Sequence, residues 1–245
     1  RAALVGVDSF CRPTRLVGPQ VKKEDKMSDD IYYRRHLPHY QPPEATYFVT
    51  FRLAGSLPNQ VVAALKTKRQ QAEKDLVKLP KQEQAEQIQL IRYRYFGKFD
   101  RLLDCCGTGP QWLAHPEIRR IVHEAIRYRD DRVYHLLAFT IMPNHMHLVF
   151  ELLSDDIQKR RDSSPYRVTS ILENLKWYTA LHCNRILGRK GQFWQYESYD
   201  HMVRNFEELG RIVQYILENP VKAGLAKDWR EWPGNYVIPG FLQQV

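Results

Sequence analysis

The sequence predicts an α+β fold: a ferredoxin-like (RRM-like) βαββαβ antiparallel sheet, with a helical insertion after strand 1 and an added C-terminal helix. Three observations predict it. The stretch TYFVTFRLAG, Thr46 to Gly55, is dense in aromatic and β-branched residues and ends at a glycine, the mark of a strand. The stretch RVYHLLAFTIMPNHMHLVFELL reads as two strands joined at Met142-Pro143-Asn144, a hairpin. Between and after these lie segments of helical period, giving the order strand, helices, strand, strand, helix, strand, helix.

Each element has a local reason. Residues 1–45 are polar and without sustained period, and read as an N-terminal extension; the first Met is Met27. In strand 1, Tyr47, Val49 and Phe51 share one face, and Phe48, Thr50 and Arg52 the other. Leu57-Pro58-Asn59 opens a helix near Gln60, Pro80 interrupts it, and a second charged helix runs to about Asp104. The helical insertion is placed at about 60–130. It ends with a helix from Trp112 to Asp131 whose apolar face is Ile118, Ile121, Val122 and Ile126. After the hairpin, Ser154 to Arg167 is a polar loop carrying Lys159, Arg160 and Arg161, a cluster suited to phosphate. A helix from about Thr169 to Leu187 is closed by Gly188. Phe193 to Arg204 is the fourth strand, and Asn205 caps the last helix, with Glu207 and Glu208 placed to favour its dipole. The tail, 227–245, is expected to pack back on the core.

Of 245 residues, 43% are hydrophobic, enough for a core. The 37 Lys and Arg outnumber the 28 Asp and Glu, for a net charge of +9, which points to a polyanionic partner such as nucleic acid. Cys11, Cys105, Cys106 and Cys183 have neither metal-type spacing nor a disulfide framework, so a reducing, cytoplasmic setting is expected. No apolar run is long enough to span a bilayer, and no secretory signal is visible.

Chemistry concentrates in two stretches. In IMPNHMHLVF, alternation along a strand puts His145 and His147 on one face and Met146, Leu148 and Phe150 on the other. Two adjacent imidazoles on a rigid sheet suit a divalent metal. In RIVQYILENPVKAGLA, Tyr215 and Asn219 stand four residues apart, one helical turn, and Pro220 is expected to stop the helix at or near Asn219. If that helix end meets the histidine strand, Asn219 becomes a third ligand and Tyr215 a nucleophile beside the metal. Tyr178, on the preceding helix, competes for the nucleophile role, with His182 its nearest polar neighbour at i+4.

YFVTFRL, IMPNHMHLVF, SILENLKWYTALHCNRILGRKGQFWQYESYDHMVR and ELGRIVQYILENPVKAGL together resemble the one-tyrosine HUH transposases, and within them the REP-associated tyrosine transposases. The resemblance spans about Tyr47 to Leu225 and places the HUH domain at 46–226. It implies that His145, His147 and Asn219 hold a Mg2+ or Mn2+ ion. It implies that Tyr215 attacks a single-stranded DNA phosphate, leaving a 5′-phosphotyrosine and a free 3′-hydroxyl. Insertion-sequence relatives carry Gln where this chain has Asn219. The implied partner is single-stranded DNA with hairpin structure, bound by a monomer or a homodimer, in DNA recombination without a membrane. Candidate DNA contacts are Arg52, Lys159, Arg160, Arg161, Trp194, His201 and Arg204, with Trp177, Tyr196 and Tyr199 as further stacking surfaces. Two other functions stay open: a non-catalytic single-strand-binding module, and a metallohydrolase unrelated to DNA.

Overall fold

A computed structural model describes residues 44–76, 80–105, 109–153 and 167–243. The extension before residue 44 and the Lys159-Arg160-Arg161 cluster lie outside the described residues. The elements are β1 (Thr46–Leu53), α1 (Asn59–Asp75), α2 (Lys81–Cys105), α3 (Pro116–Arg129), β2 (Tyr134–Ile141), β3 (His145–Leu152), α4 (Arg167–Ile186), β4 (Trp194–Met202), α5 (Phe206–Lys222) and β5 (Asn235–Val237). The strands form one sheet in the order β4-β1-β3-β2-β5, every neighbouring pair antiparallel. The first four strands in that order are the ferredoxin-like arrangement, and β5 extends the sheet beyond β2. No helix among the described residues is long and apolar enough to cross a membrane.

The period-2 alternation of the strands sorts their side chains into two cores. On one face Tyr47, Val49, Phe51, Met146, Leu148 and Phe150 pack with Ile118, Val122 and Ile126 of α3 and Leu172 and Leu175 of α4. On the other, Phe48, Ala138 and Val149 pack with Phe96 of α2 and Leu209, Val213, Ile216 and Leu217 of α5. The histidines of β3 point to this second face.

Three expectations need correction. The insertion does not reach residue 130. Pro116 starts α3 at its first turn, where a missing N–H costs nothing, and the stripe Ile118, Val122, Ala125 and Ile126 is buried against the sheet. Thus α3 is the β1–β2 crossover helix, and the inserted part is α1 with α2. Second, Pro220 does not stop the last helix at Asn219. α5 continues to Lys222, because so near a helix end proline removes a single backbone bond. The stop comes at Gly224, whose φ of 70° leaves the helical region, while Leu225 N–H donates to the Pro220 carbonyl at 2.8 Å. Third, strand 1 ends at Leu53, two residues before Gly55. The tail adds β5 to the edge of β2, pairing Ala138 with Val237 and Thr140 with Asn235.

Candidate active site

Register brings the first pieces together. His147 faces Thr50 across the β1–β3 ladder, and its Nδ1 lies 2.6 Å from Thr50 Oγ1. On its other side, Asn219 Nδ2 lies 2.9 Å from His147 Nε2 and donates to it. An imidazole that accepts at Nε2 carries its proton at Nδ1, so the ring donates to Thr50. His145 is set in the same tautomer by the turn. Its Nδ1 lies 2.7 Å from Asn144 Oδ1, an oxygen that only accepts, while Asn144 Nδ2 donates to the Leu103 carbonyl at 2.9 Å. Both Nε2 lone pairs therefore point off the sheet, oriented by hydrogen bonds behind them as metal-ligating histidines are.

What they point at was not visible in the sequence. Asp100, on the inserted helix α2, presents Oδ1 at 3.4 Å from His147 Nε2 and 3.8 Å from His145 Nε2. Asp104, one turn on, stands 3.7 Å from His145 Nε2. Tyr215, from α5, donates its hydroxyl to the other oxygen of Asp100. Phe96 anchors α2 here, stacked 3.9 Å from Tyr199 and edge-on to Phe48 at 5.5 Å. His145, His147 and Asp100 are all 0% exposed. A pocket of about 180 Å³, lined by Leu103, Asp104, Asn144, His145 and Ala223 among others, lies alongside.

These residues suit a cation. Among the described residues, Asp100, His145 and His147 form a group whose ligand atoms all lie within 4.8 Å of one another. His145 Nε2, Asp100 Oδ1, Asp104 Oδ1 and Asn219 Oδ1 are buried without a hydrogen-bond partner. The first three converge, and lone-pair atoms brought together without a donor cost several kcal/mol of desolvation unless a positive charge satisfies them.

Burial sets the proton states. It lowers His147 to about 3; His145 falls to about 3 through burial and the neighbouring His147. Both are neutral at pH 7, as ligands must be. Burial raises Asp100, against the opposing pull of His145. Burial and then the charge of Asp100 raise Asp104 to about 7. The Tyr215 hydroxyl is pushed up, first by burial and next by Asp100. Each of the last three shifts is what a cation would relieve.

The other sequence candidates scatter. Tyr178 is on α4, across the sheet from the histidines, with the Arg129 guanidinium 5.5 Å from its ring centroid. Arg52 is 5% exposed; its Nη1 donates to Ser56 Oγ at 3.2 Å, and its guanidinium lies over Phe99. Trp194 is 4% exposed, packed on Phe51 and donating Nε1 to Thr179 Oγ1 at 2.8 Å. Arg52 and Trp194 are thus buried on opposite faces of the sheet, each held by its own neighbours. His201 bonds Glu208 Oε1 at 3.0 Å and ties β4 to the first turn of α5. Arg204 is exposed beside that cap, its backbone N–H donated to Glu208 Oε2. Trp177 and Tyr196 are open, at 66% and 83%.

Fold and site together define a ferredoxin-like protein with a closed two-histidine, one-aspartate candidate metal centre and a tyrosine hydroxyl on the carboxylate. Among curated proteins, the chain is similar to the REP-associated tyrosine transposase of Escherichia coli K12, with 32% identity over 111 residues. It is also similar to the putative REP-associated tyrosine transposase of Haemophilus influenzae Rd, with 27% identity over 105 residues. These matches cover 45% and 41% of this chain, and the chain spans 59% and 57% of those relatives. A solved structure of a REP-associated tyrosine transposase bound to a REP hairpin aligns over 85% of this chain and 82% of that one, at 21% identity and a TM-score of 0.46. No family model matches the chain.

Proposed function

We propose that the chain is a transposase-like enzyme that cleaves and rejoins single-stranded DNA, with Tyr215 as nucleophile and hairpin DNA as substrate. One observation carries this reading: the Tyr215 hydroxyl sits on the carboxylate that both β3 histidines face. A half-buried phenol set beside an imidazole and two carboxylates suits chemistry better than packing. Homology to REP-associated tyrosine transposases supports the reaction class.

His145, His147 and Asp100, with Asn219 beside them, are the residues that would hold a divalent cation. Oxygen ligands beside imidazole suit Mg2+ or Mn2+. Such an ion supplies Lewis-acid polarisation of a non-bridging phosphate oxygen. The protein does the rest. Tyr215 attacks phosphorus in line with the 3′ oxygen and becomes joined to the 5′ phosphate. The freed 3′-hydroxyl reverses the step on the same or another end, so rejoining needs no nucleotide cofactor. Thr50 and Asn144 hold the imidazoles in the neutral tautomer that presents Nε2. Exposed Trp177 and Tyr196 offer rings for unpaired bases, and Arg204 a phosphate contact.

The experiment is adduct formation on an end-labelled hairpin oligonucleotide with Mn2+, read on a denaturing gel. Tyr215→Phe is expected to abolish the covalent band and leave binding intact; a persisting band removes Tyr215 from the chemistry. The closed centre favours one second reading, a non-catalytic single-strand-binding protein. It predicts binding, independent of cation, with no adduct in the wild type.

A further inference from the structure

The inserted helix pair α1–α2 stands outside the βαββαβ order, yet it delivers a carboxylate to the site. A phenol that attacks phosphorus must lose its proton, and the group that receives it has to be in contact with the hydroxyl. Among the described residues the candidates are few. His147 Nε2 is engaged by Asn219 Nδ2, and its ring centroid is 6.1 Å from that of Tyr215. His145 Nε2 faces Asp100 and Asp104. Lys222 Nζ sits over the Tyr215 ring, 4.9 Å from its centroid, where an ammonium has no proton to gain but favours charge on the phenolic oxygen. The hydroxyl itself donates to Asp100 Oδ2, while Oδ1 of the same carboxylate turns to the histidines.

We infer that Asp100 is a catalytic residue, the acceptor of the Tyr215 proton, and that the α1–α2 insertion is therefore part of the catalytic machinery. This rests on the transesterification reading above. In the cleavage step the Tyr215 O–H bond breaks and its proton passes to Asp100 Oδ2, while a bond forms from the phenolic oxygen to phosphorus. The P–O3′ bond breaks, its electron pair leaves on the 3′ oxygen, and that oxygen takes one proton from water. Asp100 later returns its proton to solvent or, in rejoining, to the departing phenolate. Nothing is oxidised or reduced. The histidines facing Oδ1 and Lys222 over the ring hold the carboxylate and phenol in register, so the proton moves along a hydrogen bond that already exists.

The experiment compares wild type, Asp100→Asn, Asp100→Glu and Asp100→Ala for adduct rate on the hairpin oligonucleotide, for Mn2+ affinity by electron paramagnetic resonance, and for fold by circular dichroism. Loss of a positioned base lowers rates on the order of 100-fold or more. Asp100→Asn is expected to show that loss at saturating Mn2+, Asp100→Glu to retain a larger share of the rate, and Asp100→Ala to be accelerated by added formate. Wild-type rates in Asp100→Asn overturn the inference. So does a defect that saturating Mn2+ fully restores without any formate effect, since the carboxylate would then serve only as a ligand. Should Asp100→Asn not fold, Asp100→Glu and the formate response of Asp100→Ala decide the matter. Absence of any wild-type adduct would instead remove the parent reading.

Discussion

Adding Mn2+ to cation-free protein is expected to raise its melting temperature substantially. In the cation-free state three lone-pair atoms, His145 Nε2, Asp100 Oδ1 and Asp104 Oδ1, are buried together with no donor. The two carboxylates stand next to each other, and their mutual repulsion helps lift Asp104 to about 7. An ion that binds only the folded centre stabilises it by RT ln(1 + [L]/Kd), about 2.7 kcal/mol at a hundredfold excess over Kd. For a chain of this size each kcal/mol moves Tm by about 2–4 °C, so the shift should be about 5–11 °C. The assay is differential scanning calorimetry after exhaustive EDTA treatment, titrated with Mn2+ and then Mg2+. His147→Ala should lose most of the increment, because it removes one ligand and frees Asn219. No shift at millimolar Mn2+, or an equal shift in a His145→Ala/His147→Ala double variant, would refute the reasoning.

Phe96→Ala should lower stability by about 3 kcal/mol, since it empties the contact with Phe48 and Tyr199 that seats α2. Hydrogen exchange should quicken in α2 before it does in β3; uniform exchange would argue against α2 as a separately seated cover. Trp194→Ala should cost about 3–5 kcal/mol in urea melts and leave Thr179 bonded to the Leu175 carbonyl, while single-strand affinity of the folded fraction stays unchanged. A large affinity loss at full stability would return Trp194 to the DNA contacts. Acidity should act through His147. Its folded pKa, about 3, lies below the ordinary 6.5, so the folded state binds fewer protons and this contribution is lost as pH falls from about 6.5 towards 3. In cation-free urea melts, wild type relative to His147→Gln should lose about 1.4 kcal/mol per pH unit below pH 6. A difference that does not vary with pH would contradict the burial of a neutral ring.

The sheet was readable because aromatic and β-branched runs bounded by Pro, Asn and Gly leave little alternative, and both β1 and the β2–β3 hairpin fall where those signals lie. The pairing of Tyr215 and Asn219 with the histidines was readable from spacing and the family resemblance. Asp100 was not. In KFDRLLD two carboxylates four apart look like the solvated face of a charged helix, and only the tertiary fold folds that helix over a strand 45 residues later in the chain. The burial of Arg52 and Trp194 was not readable either. Their side chains carry the chemistry of nucleic-acid contacts, but strand position decides which face they occupy, and here that space is filled by Phe99, Phe51 and Thr179. Pro220 stood too close to a helix end for its usual penalty to act.

The most direct measurement is the identity of the residue that becomes attached to DNA. Wild-type protein incubated with Mn2+ and a single-stranded hairpin oligonucleotide, trapped in denaturant, digested and read by tandem mass spectrometry, should yield one nucleotide-bearing peptide, phosphorylated at Tyr215. Attachment at Tyr178 or any other side chain would contradict the account, as would efficient strand cleavage with no protein-linked product.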